Sequence, residues 1–464
     1  MVKYVYPKKV VESKGVEGVE NLLVKKPLQI GLAEKNTVVF EKGGYVILDF
    51  GKEMRGGARI LTFNAKHAKV RLRFGESLSE SCSEPGGEAN ATNDHAMRDF
   101  TAYLPRLSDE KLGNTGYRFL RVDFFDCAEV KSILGFNEMF TKKAEYSYRG
   151  GDREIKKIFD TAKRTIDLCS AGGYVWDGIK RDRLVWIGDM HPEMLALTSL
   201  YGRSKEVERS MTFVKEQTPL PGWMNSYPMY SMWWVIIVAD YARRTGAFDF
   251  AENQLDYLEK LLLQMDACVK DNGELAYPSY FVDWPTSGTP DEIHGVRAIN
   301  VIMAKNAVEI LRHFGKDASV AEGMLNKLLK IKIEPKESKQ VLGLKYFATG
   351  LDEEDKIKLV KGGAKGMSTF MSYYILKAVA SFDKAKAVEM MKEYYGAMIS
   401  VGATSFWEDF DVEWLKGSGR IDSFPGAGEK DIHADFGGFC YKGYRHSLCH
   451  GWSSGVLAFI KEEC

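Results

Sequence analysis

The sequence has no long apolar run and no excess of charge of either sign. Its longest apolar stretch, MWWVIIVA at 232–239, is far shorter than the roughly 20 residues that a membrane-spanning helix needs. Its 64 basic and 64 acidic side chains balance, so net charge gives no electrostatic reason to expect a nucleic acid or an anionic membrane as partner. We therefore expect neither kind of partner.

Cysteine and histidine are sparse. The seven cysteines are odd in number and none has C-x-x-C spacing, which is typical of reduced thiols rather than of a disulfide framework. The eight histidines form no H-x-x-x-H or H-E-x-x-H motif, so we expect no metal site and no cofactor. The start, MVKYVYPKKVVESKG, lacks the apolar core of a secretory signal. A cytoplasmic protein is expected, or a periplasmic one if a signal was trimmed, and a homodimer is left open.

Residues 1–147 carry the alternation of a β-domain. Apolar and polar residues alternate at 45–51, 58–63, 69–76 and 117–125, and Gly-, Asn- and Ser-rich breaks separate these segments, notably EPGGEANATND at 84–94. This period of two with such breaks predicts an antiparallel β-sandwich.

Residues 148–464 carry a helical period instead. Asp152 is placed to cap a helix whose apolar stripe begins at Ile155, and ten further segments between 190 and 462 have similar patterns. Ten to twelve helices with short returns indicate stacked helical hairpins, and an (α/α)6 toroid fits that number. A solenoid also fits the number, although no fixed-period repeat is visible.

One long segment, about 402–452, has no helical period but is rich in aromatic residues, including Tyr441. Disordered segments are poor in aromatics, and a loop of this length in a compact domain is usually functional. We expect it to be ordered and to line a site.

Clusters of aromatic and acidic residues recur at helix starts and in loops. The stretch WDGIKRDRLVWIGD at 176–189 combines three aspartates with two tryptophans, and GWMNSYPMYSMWW at 222–234 includes Tyr227, Tyr230 and Trp233. Asp283 stands beside Trp284, and Trp407 beside Glu408. A purely structural interpretation is also open, in which Asp189 caps a helix, Asp177 and Asp182 pair with neighbouring arginines, and the tryptophans are core.

In a helical toroid the loops at one end converge on a central cavity, so these clusters could meet at one mouth. Aromatic faces stack on sugar rings while carboxylates hold the hydroxyls. Two carboxylates from different loops are the minimum equipment for glycoside hydrolysis, in which one protonates the leaving oxygen and the other activates water or attacks.

Several of these stretches resemble the bacterial α-L-rhamnosidases of glycoside hydrolase family 78. DGIKRDRLVWIGD at 177–189 is similar to the family's Asp-Cys-Pro-x-Arg and Glu-Arg-Leu-Gly-Trp-x-Gly-Asp patterns, with Asp182 where the family usually has glutamate. GATSFWEDFD at 402–411 resembles its Trp-Glu segment, LCHGWSSG at 448–455 its late histidine, and VDW at 282–284 its Gly-Asp-Trp loop. The segments at 46–60, 69–78 and 117–122 look like the β-sandwich that precedes the family's barrel.

The resemblance implies an inverting exo-hydrolase that releases terminal L-rhamnose or a related deoxysugar, with carbohydrate as its partner. It implies that Asp182 is the general acid and Glu408 the general base. The implied substrate-binding residues are Asp177, Arg181, Trp186, Asp189, Trp233, Asp283, Trp284, Trp407 and His450. Two alternatives stay open: the same barrel acting on another sugar linkage, including by elimination, and a carbohydrate-binding protein with impaired catalysis.

Overall fold

The structure, a computed structural model, describes residues 2–84, 98–439 and 442–464. The predicted fold class is confirmed, with an antiparallel β-domain followed by a helical domain. The last strand ends at Glu138 and the first long helix begins at Arg153, so the expected boundary at 147/148 falls in the segment between them. The predicted break at 84–94 lies outside the described residues except for Glu84, as does Tyr441 of the aromatic segment.

The β-domain is built on one antiparallel sheet in the order β1-β7-β3-β6-β4-β5, with β2 paired to β3. The strands are β1 Val2–Val5, β2 Lys9–Glu17, β3 Val38–Asn64, β4 Ala68–Gly75, β5 Asp99–Leu104, β6 Asp109–Phe124 and β7 Ala128–Glu138. Strand β3 pairs with β7 at both of its ends. The sheet therefore folds back on itself around one apolar core, in which Phe40 stacks on Phe124.

The predicted strands at 45–51 and 58–63 are two parts of the single long strand β3. Between them Gly51 and Gly56 have positive φ angles of 81° and 152°, which favour glycine. A Cβ on Gly56 would also lie 2.1 Å from the carbonyl oxygen of Phe136. The register shifts between Asp49 and Met54, so β3 bends here where the sequence pattern indicates a break.

The helices form the second domain, except for the short α1, which follows β4. They are α1 Leu78–Cys82, α2 Arg153–Cys169, α3 Met190–Tyr201, α4 Lys205–Gln217, α5 Pro228–Thr245, α6 Phe248–Glu252, α7 Leu255–Asp266, α8 Glu292–His313, α9 Ser319–Leu328, α10 Lys339–Thr349, α11 Glu353–Val360, α12 Ser372–Ala380, α13 Lys384–Ser400 and α14 Val456–Glu463. Within the ranges that the structure describes, none is long and apolar enough to cross a membrane.

Six helices form a closed inner ring. Each of α3, α5, α8, α10, α12 and α14 contacts the next, and α14 contacts α3. Helices α9, α11 and α13 lie outside this ring against α8, α10 and α12. Helix α3 is buried on every side, as an inner helix must be. Helix α2 instead keeps the predicted stripe from Ile155 buried, and the Asp152 carboxylate caps it by accepting the Glu154 and Ile155 N–H groups.

The sequence patterns did not indicate helix α10, Lys339–Thr349. Its burial explains this, because polar Lys339 and Gln340 are buried together with apolar Val341 and no apolar stripe remains to be seen. The long aromatic segment behaves as expected. Between Ser400 and Val456, leaving aside 440–441, it contains short 3-10 turns and no α-helix, and its Trp407 and Phe410 are buried.

Candidate active site

The site begins with the loop at 177–184, immediately before α3. The buried carboxylate of Asp177 accepts the backbone N–H of Asp182 at 3.1 Å and that of Leu184 at 2.9 Å. Its own carbonyl accepts the N–H of Gly451 at 2.6 Å. Asp177 therefore folds the loop around its side chain and ties it to the start of the last helical segment. Of the alternative in which these aspartates pair with neighbouring arginines, the structure shows Nη1 of Arg181 at 3.4 Å from Oδ1 of Asp182.

The guanidinium of Arg181 lies between the two carboxylates that the sequence analysis proposed as acid and base. Its Nη2 is 2.6 Å from both Oε1 and Oε2 of Glu408, and its Nη1 is 3.4 Å from Oδ1 of Asp182. Its Nε donates to the carbonyl of Arg445 at 2.7 Å. Because both carboxyl groups contact one planar group, they lie within the roughly 9.5 Å that is the upper limit for inverting glycosidases.

Glu408 is held from both its backbone and its side chain. Its N–H donates to the Ser447 carbonyl at 2.9 Å, and the Ser447 N–H donates to Oε2 at 3.0 Å. Its carbonyl accepts the indole N–H of Trp452 at 2.9 Å. The side chain is 4% exposed. These contacts fix one orientation of the carboxylate at the floor of the site.

His450 is surrounded by three carboxyl groups. Its Nε2 lies 4.0 Å from Oδ2 of Asp177, 3.9 Å from Oδ2 of Asp189 and 3.9 Å from Oε1 of Glu408. Burial lowers the pKa of His450 well below its ordinary value, so the imidazole is neutral near pH 7. Its Nδ1 is buried and has no hydrogen-bond partner within the described part of the chain.

Burial favours the neutral form of two of these carboxyl groups. Burial raises the pKa of Asp177 to about 8, and burial with the nearby Asp177 raises the pKa of Asp189 well above its ordinary value. Asp189 stands at the N-cap position of α3 but makes no capping hydrogen bond, and its Oδ1 accepts the Tyr230 hydroxyl at 2.9 Å. A neutral carboxyl group both donates and accepts, which suits recognition of hydroxyl groups.

Aromatic rings complete a small pocket of about 70 Å³ around these polar groups. Trp186 meets Tyr230 edge-on, with ring centroids 5.9 Å apart, and Trp284 meets Phe281 edge-on at 5.1 Å. The lining residues are Asp177, Arg181, Asp182, Trp186, Asp189, Tyr227, Tyr230, Phe281, Trp284, Glu408, His450 and Trp452.

Eight of the eleven residues predicted from the sequence line this pocket, and Trp233, Trp407 and Asp283 do not. Trp233 is 1% exposed, stacks on His191 and packs at a tilt against Tyr374 inside the ring of helices. Trp407 is fully buried and packs edge-on against Phe410. The carboxylate of Asp283 is buried and accepts the Thr286 N–H at 3.0 Å and the Ser368 hydroxyl at 2.8 Å.

Four lining residues were not assigned from the sequence: Tyr227, Tyr230, Phe281 and Trp452. Tyr227 and Tyr230 belong to the aromatic cluster at 222–234, but the family resemblance implies Trp233 from that cluster instead. The position of each residue along the predicted helix could have shown which of them lie near the mouth of the ring. Tyr227 and Tyr230 lie at the start of α5 and so near the mouth of the ring, whereas Trp233 lies roughly one turn beyond Tyr230.

One other group of donors has the composition of a metal site. Glu76, Glu80 and His433 are buried close together. The ammonium of Lys180 lies 3.0 Å from Oε2 of Glu76 and 3.1 Å from Oε1 of Glu80. A cationic side chain of the protein itself therefore pairs with both carboxylates.

The fold defines the class of protein to which the chain is similar: it is the architecture of solved α-L-rhamnosidases, including one assigned to glycoside hydrolase family 78. The resemblance seen in the motifs is thus confirmed at the level of the fold. No family model and no curated protein sequence matches the chain.

The particular neighbours include a rhamnosidase from Klebsiella oxytoca with rhamnose bound, at 17% identity and a TM-score of 0.78, covering 100% of this chain and 96% of that one. The family 78 rhamnosidase of Bacillus sp. GL1 matches at 16% identity and a TM-score of 0.70, over 96% of this chain and 48% of that one. The α-L-rhamnosidase of Streptomyces avermitilis complexed with L-rhamnose matches at 15% identity and a TM-score of 0.66, over 99% of this chain and 43% of that one. The chain thus spans nearly all of the first protein and under half of the other two.

Proposed function

We propose that this chain belongs to glycoside hydrolase family 78 and hydrolyses a terminal α-L-rhamnoside, or a related deoxysugar glycoside, with inversion at the anomeric carbon. The observation that carries the proposal is the junction at Arg181, which contacts Asp182 on one side and Glu408 on the other inside an aromatic-walled pocket. The choice of sugar rests on the shared fold and on the rhamnose bound to two of the solved neighbours.

In the proposed reaction Asp182 is the general acid. Its side chain is about one quarter exposed, so it can reach a leaving group at the mouth of the pocket. The carboxylic acid transfers its proton to the glycosidic oxygen as the bond from that oxygen to the anomeric carbon breaks. The loop that Asp177 organises sets the position of this group.

Glu408 is the proposed general base. A carboxylate has about four acceptor positions, so the contacts with Arg181 and with the Ser447 N–H leave room for a water molecule. Glu408 takes a proton from that water as its oxygen bonds to the anomeric carbon, opposite the departing oxygen. Asp177, Asp189 and His450 would hold ring hydroxyls through hydrogen bonds, and Trp186 and Trp284 would flank the sugar.

The test uses 4-nitrophenyl α-L-rhamnoside and a rhamnosyl disaccharide as substrates. We expect Glu408→Gln to lose at least about a hundredfold in kcat on both, because acid–base groups contribute on the order of 10²–10⁴-fold. Asp182→Asn should lose as much on the disaccharide but much less on the nitrophenyl glycoside, whose leaving group needs little protonation.

Glu429→Gln, an exposed glutamate in the same long segment, is the matched control and should act like the parent. Proton NMR during turnover should record the β-anomer of rhamnose first. An α-anomer first would contradict inversion, an unsaturated uronide would indicate elimination, and sugar binding without turnover would indicate a binding protein.

A further inference from the structure

The ammonium of Lys180 is a buried charge near the site. It is 1% exposed. It donates to the carbonyls of Tyr444 at 2.7 Å and His446 at 2.6 Å, in addition to its ion pairs with Glu76 and Glu80. Both carboxylates belong to the β-domain, whereas the two carbonyls belong to the long segment of the helical domain. One side chain therefore joins the two domains.

Lys180 is also the residue before Arg181 in the loop that carries the proposed acid. The backbone segment that it holds, residues 444–448, is the same one that orients the proposed base. The Arg445 carbonyl accepts from Arg181 Nε at 2.7 Å, and the Ser447 N–H donates to Oε2 of Glu408 at 3.0 Å. Displacement of Lys180 would thus move both carboxylates of the site.

The β-domain reinforces the same segment directly. Oε2 of Glu76 accepts the N–H of Leu448 at 2.6 Å, and the Glu76 backbone N–H donates to Oε2 of Glu80 at 2.7 Å. His433 adds a further connection, because its Nδ1 is 2.7 Å from the Ser77 hydroxyl and its Nε2 is 2.9 Å from the His446 carbonyl. The carboxylates are buried in the domain interface and do not touch the pocket.

We infer that Lys180, paired with Glu76 and Glu80 of the β-domain, is a positioning residue that sets the relative placement of Asp182 and Glu408. The inference rests on the proposed function, in which these two carboxylates are acid and base. Lys180 does not touch the substrate. Its effect is transmitted by Arg181 on one side and by the 444–448 backbone on the other. The β-domain therefore helps to position the two carboxylates of the site.

The principal variant is Lys180→Met, which keeps most of the side-chain volume and removes the charge. We expect kcat/KM per folded molecule to fall at least about a hundredfold, because a misplacement of about 1 Å can have an effect of that size. Glu76→Gln removes one of the carboxylates that pair with Lys180 and keeps the shape of the side chain. Its kcat/KM should also fall, but by less than that of Lys180→Met. If Lys180→Met does not fold, Glu76→Gln carries the test.

The matched control is Lys345→Met. Lys345 is also buried and is paired with Asp355 at 2.5 Å, but on α10 away from the pocket. Its variant should lose stability and keep the parent kcat. A loss of melting temperature without a loss of kcat in Lys180→Met would reduce Lys180 to the same structural role and overturn the inference.

A second readout does not need turnover. Hydrogen exchange at the Ser447 and Leu448 amides, which donate to Glu408 and Glu76, should accelerate in Lys180→Met and stay at the parental rate in Lys345→Met. Unchanged exchange at both amides would overturn the inference. Propylammonium added to Lys180→Ala should restore part of the lost kcat and part of the protection.

The two proposals fail in different ways. If the parent protein hydrolyses no glycoside, the proposed function fails, and the hydrogen-exchange comparison still decides whether Lys180 orders the segments that hold the two carboxylates. If the parent is active and Lys180→Met and Glu76→Gln both retain kcat within about threefold, the positioning role fails and the proposed function stands.

Discussion

Asp177 shows how one side chain serves both the backbone and the site. It accepts two backbone N–H groups that shape the loop at 177–184, and its Oδ2 faces His450 at 4.0 Å. Its burial makes the charged form unfavourable. The sequence alone does not tell whether such an aspartate is buried, because burial of a loop residue depends on segments far along the chain.

The raised pKa of Asp177 predicts a pH dependence of stability. Its pKa is about 8 in the folded protein against an ordinary 3.8, so the folded state binds a proton that the unfolded state releases. The contribution to stability is complete below about pH 3.8 and is lost as pH rises towards 8. Asp177→Asn keeps the neutral form at every pH.

The measurement is the free energy of unfolding of the parent and of Asp177→Asn from pH 5 to 9. As pH rises, the free energy of unfolding of the parent should fall relative to that of the variant by up to about 1.4 kcal/mol per pH unit. The difference in free energy between the two proteins should become constant above pH 8. A difference between the two proteins that does not change over this range would contradict the assignment of a protonated Asp177.

At the scale of elements, the aromatic residues at the start of helix α5 line the pocket and those farther along pack in the core. Tyr227 and Tyr230 at its start face the pocket, while Trp233 and Trp234 farther along are buried in the core. The same division separates neighbours in the loops. Asp283 is buried in a turn and Trp284 lines the pocket, whereas Trp407 is core and Glu408 lines the pocket. Consecutive residues point in different directions, and composition alone does not tell which one faces the cavity.

This division predicts opposite phenotypes for two tryptophan variants. Trp233→Ala should lower the free energy of unfolding by about 3–5 kcal/mol, because it leaves a cavity in the core. Trp284→Ala should leave stability nearly unchanged and raise KM about five- to tenfold, since a ring contact contributes on the order of 1 kcal/mol. Denaturant titrations and steady-state kinetics on both variants would check this. Loss of affinity without loss of stability in Trp233→Ala would contradict its placement in the core.

At the scale of the molecule, the two domains meet through buried and directional contacts. Arg118 of β6 donates to the Gly402 carbonyl at 3.0 Å, and the Glu53 N–H donates to the Thr404 hydroxyl at 2.8 Å. Gly116 of β6 faces the loop that carries the proposed acid. A Cβ at this position would lie 2.6 Å from Cγ1 of Ile179 and 2.9 Å from the backbone nitrogen of Lys180. The β-domain therefore supports this loop by direct contact.

Gly116→Ala tests that support. The added methyl group has to displace the backbone at 179–180, so we expect kcat to fall at least about tenfold. The free energy of unfolding should also decrease, because the contact is overpacked. Gly323→Ala on α9 is the matched control, because a Cβ at Gly323 would meet no atom of the described residues within 4 Å. The control should gain about 0.5–1 kcal/mol of stability and keep the parent kcat. Parental kcat in Gly116→Ala would contradict a role of the interface in the site.

The sequence by itself determined the two-domain plan and most of the site. The change from a period of two to a helical period separates the domains, because these periods follow from local backbone geometry. The motifs around Asp177, Arg181, Glu408 and His450 named residues that the structure brings into one pocket.

Only the tertiary structure decided which aromatic residues face the pocket, where helix α10 lies, and that Lys180 joins the domains. Each of these depends on contacts between distant segments. Lys180 and Glu80 are 100 positions apart, and Lys180 and His446 are 266 apart. Local periodicity carries no information about such pairs. A buried ion pair therefore looks like a surface lysine and a surface glutamate until the chain is folded.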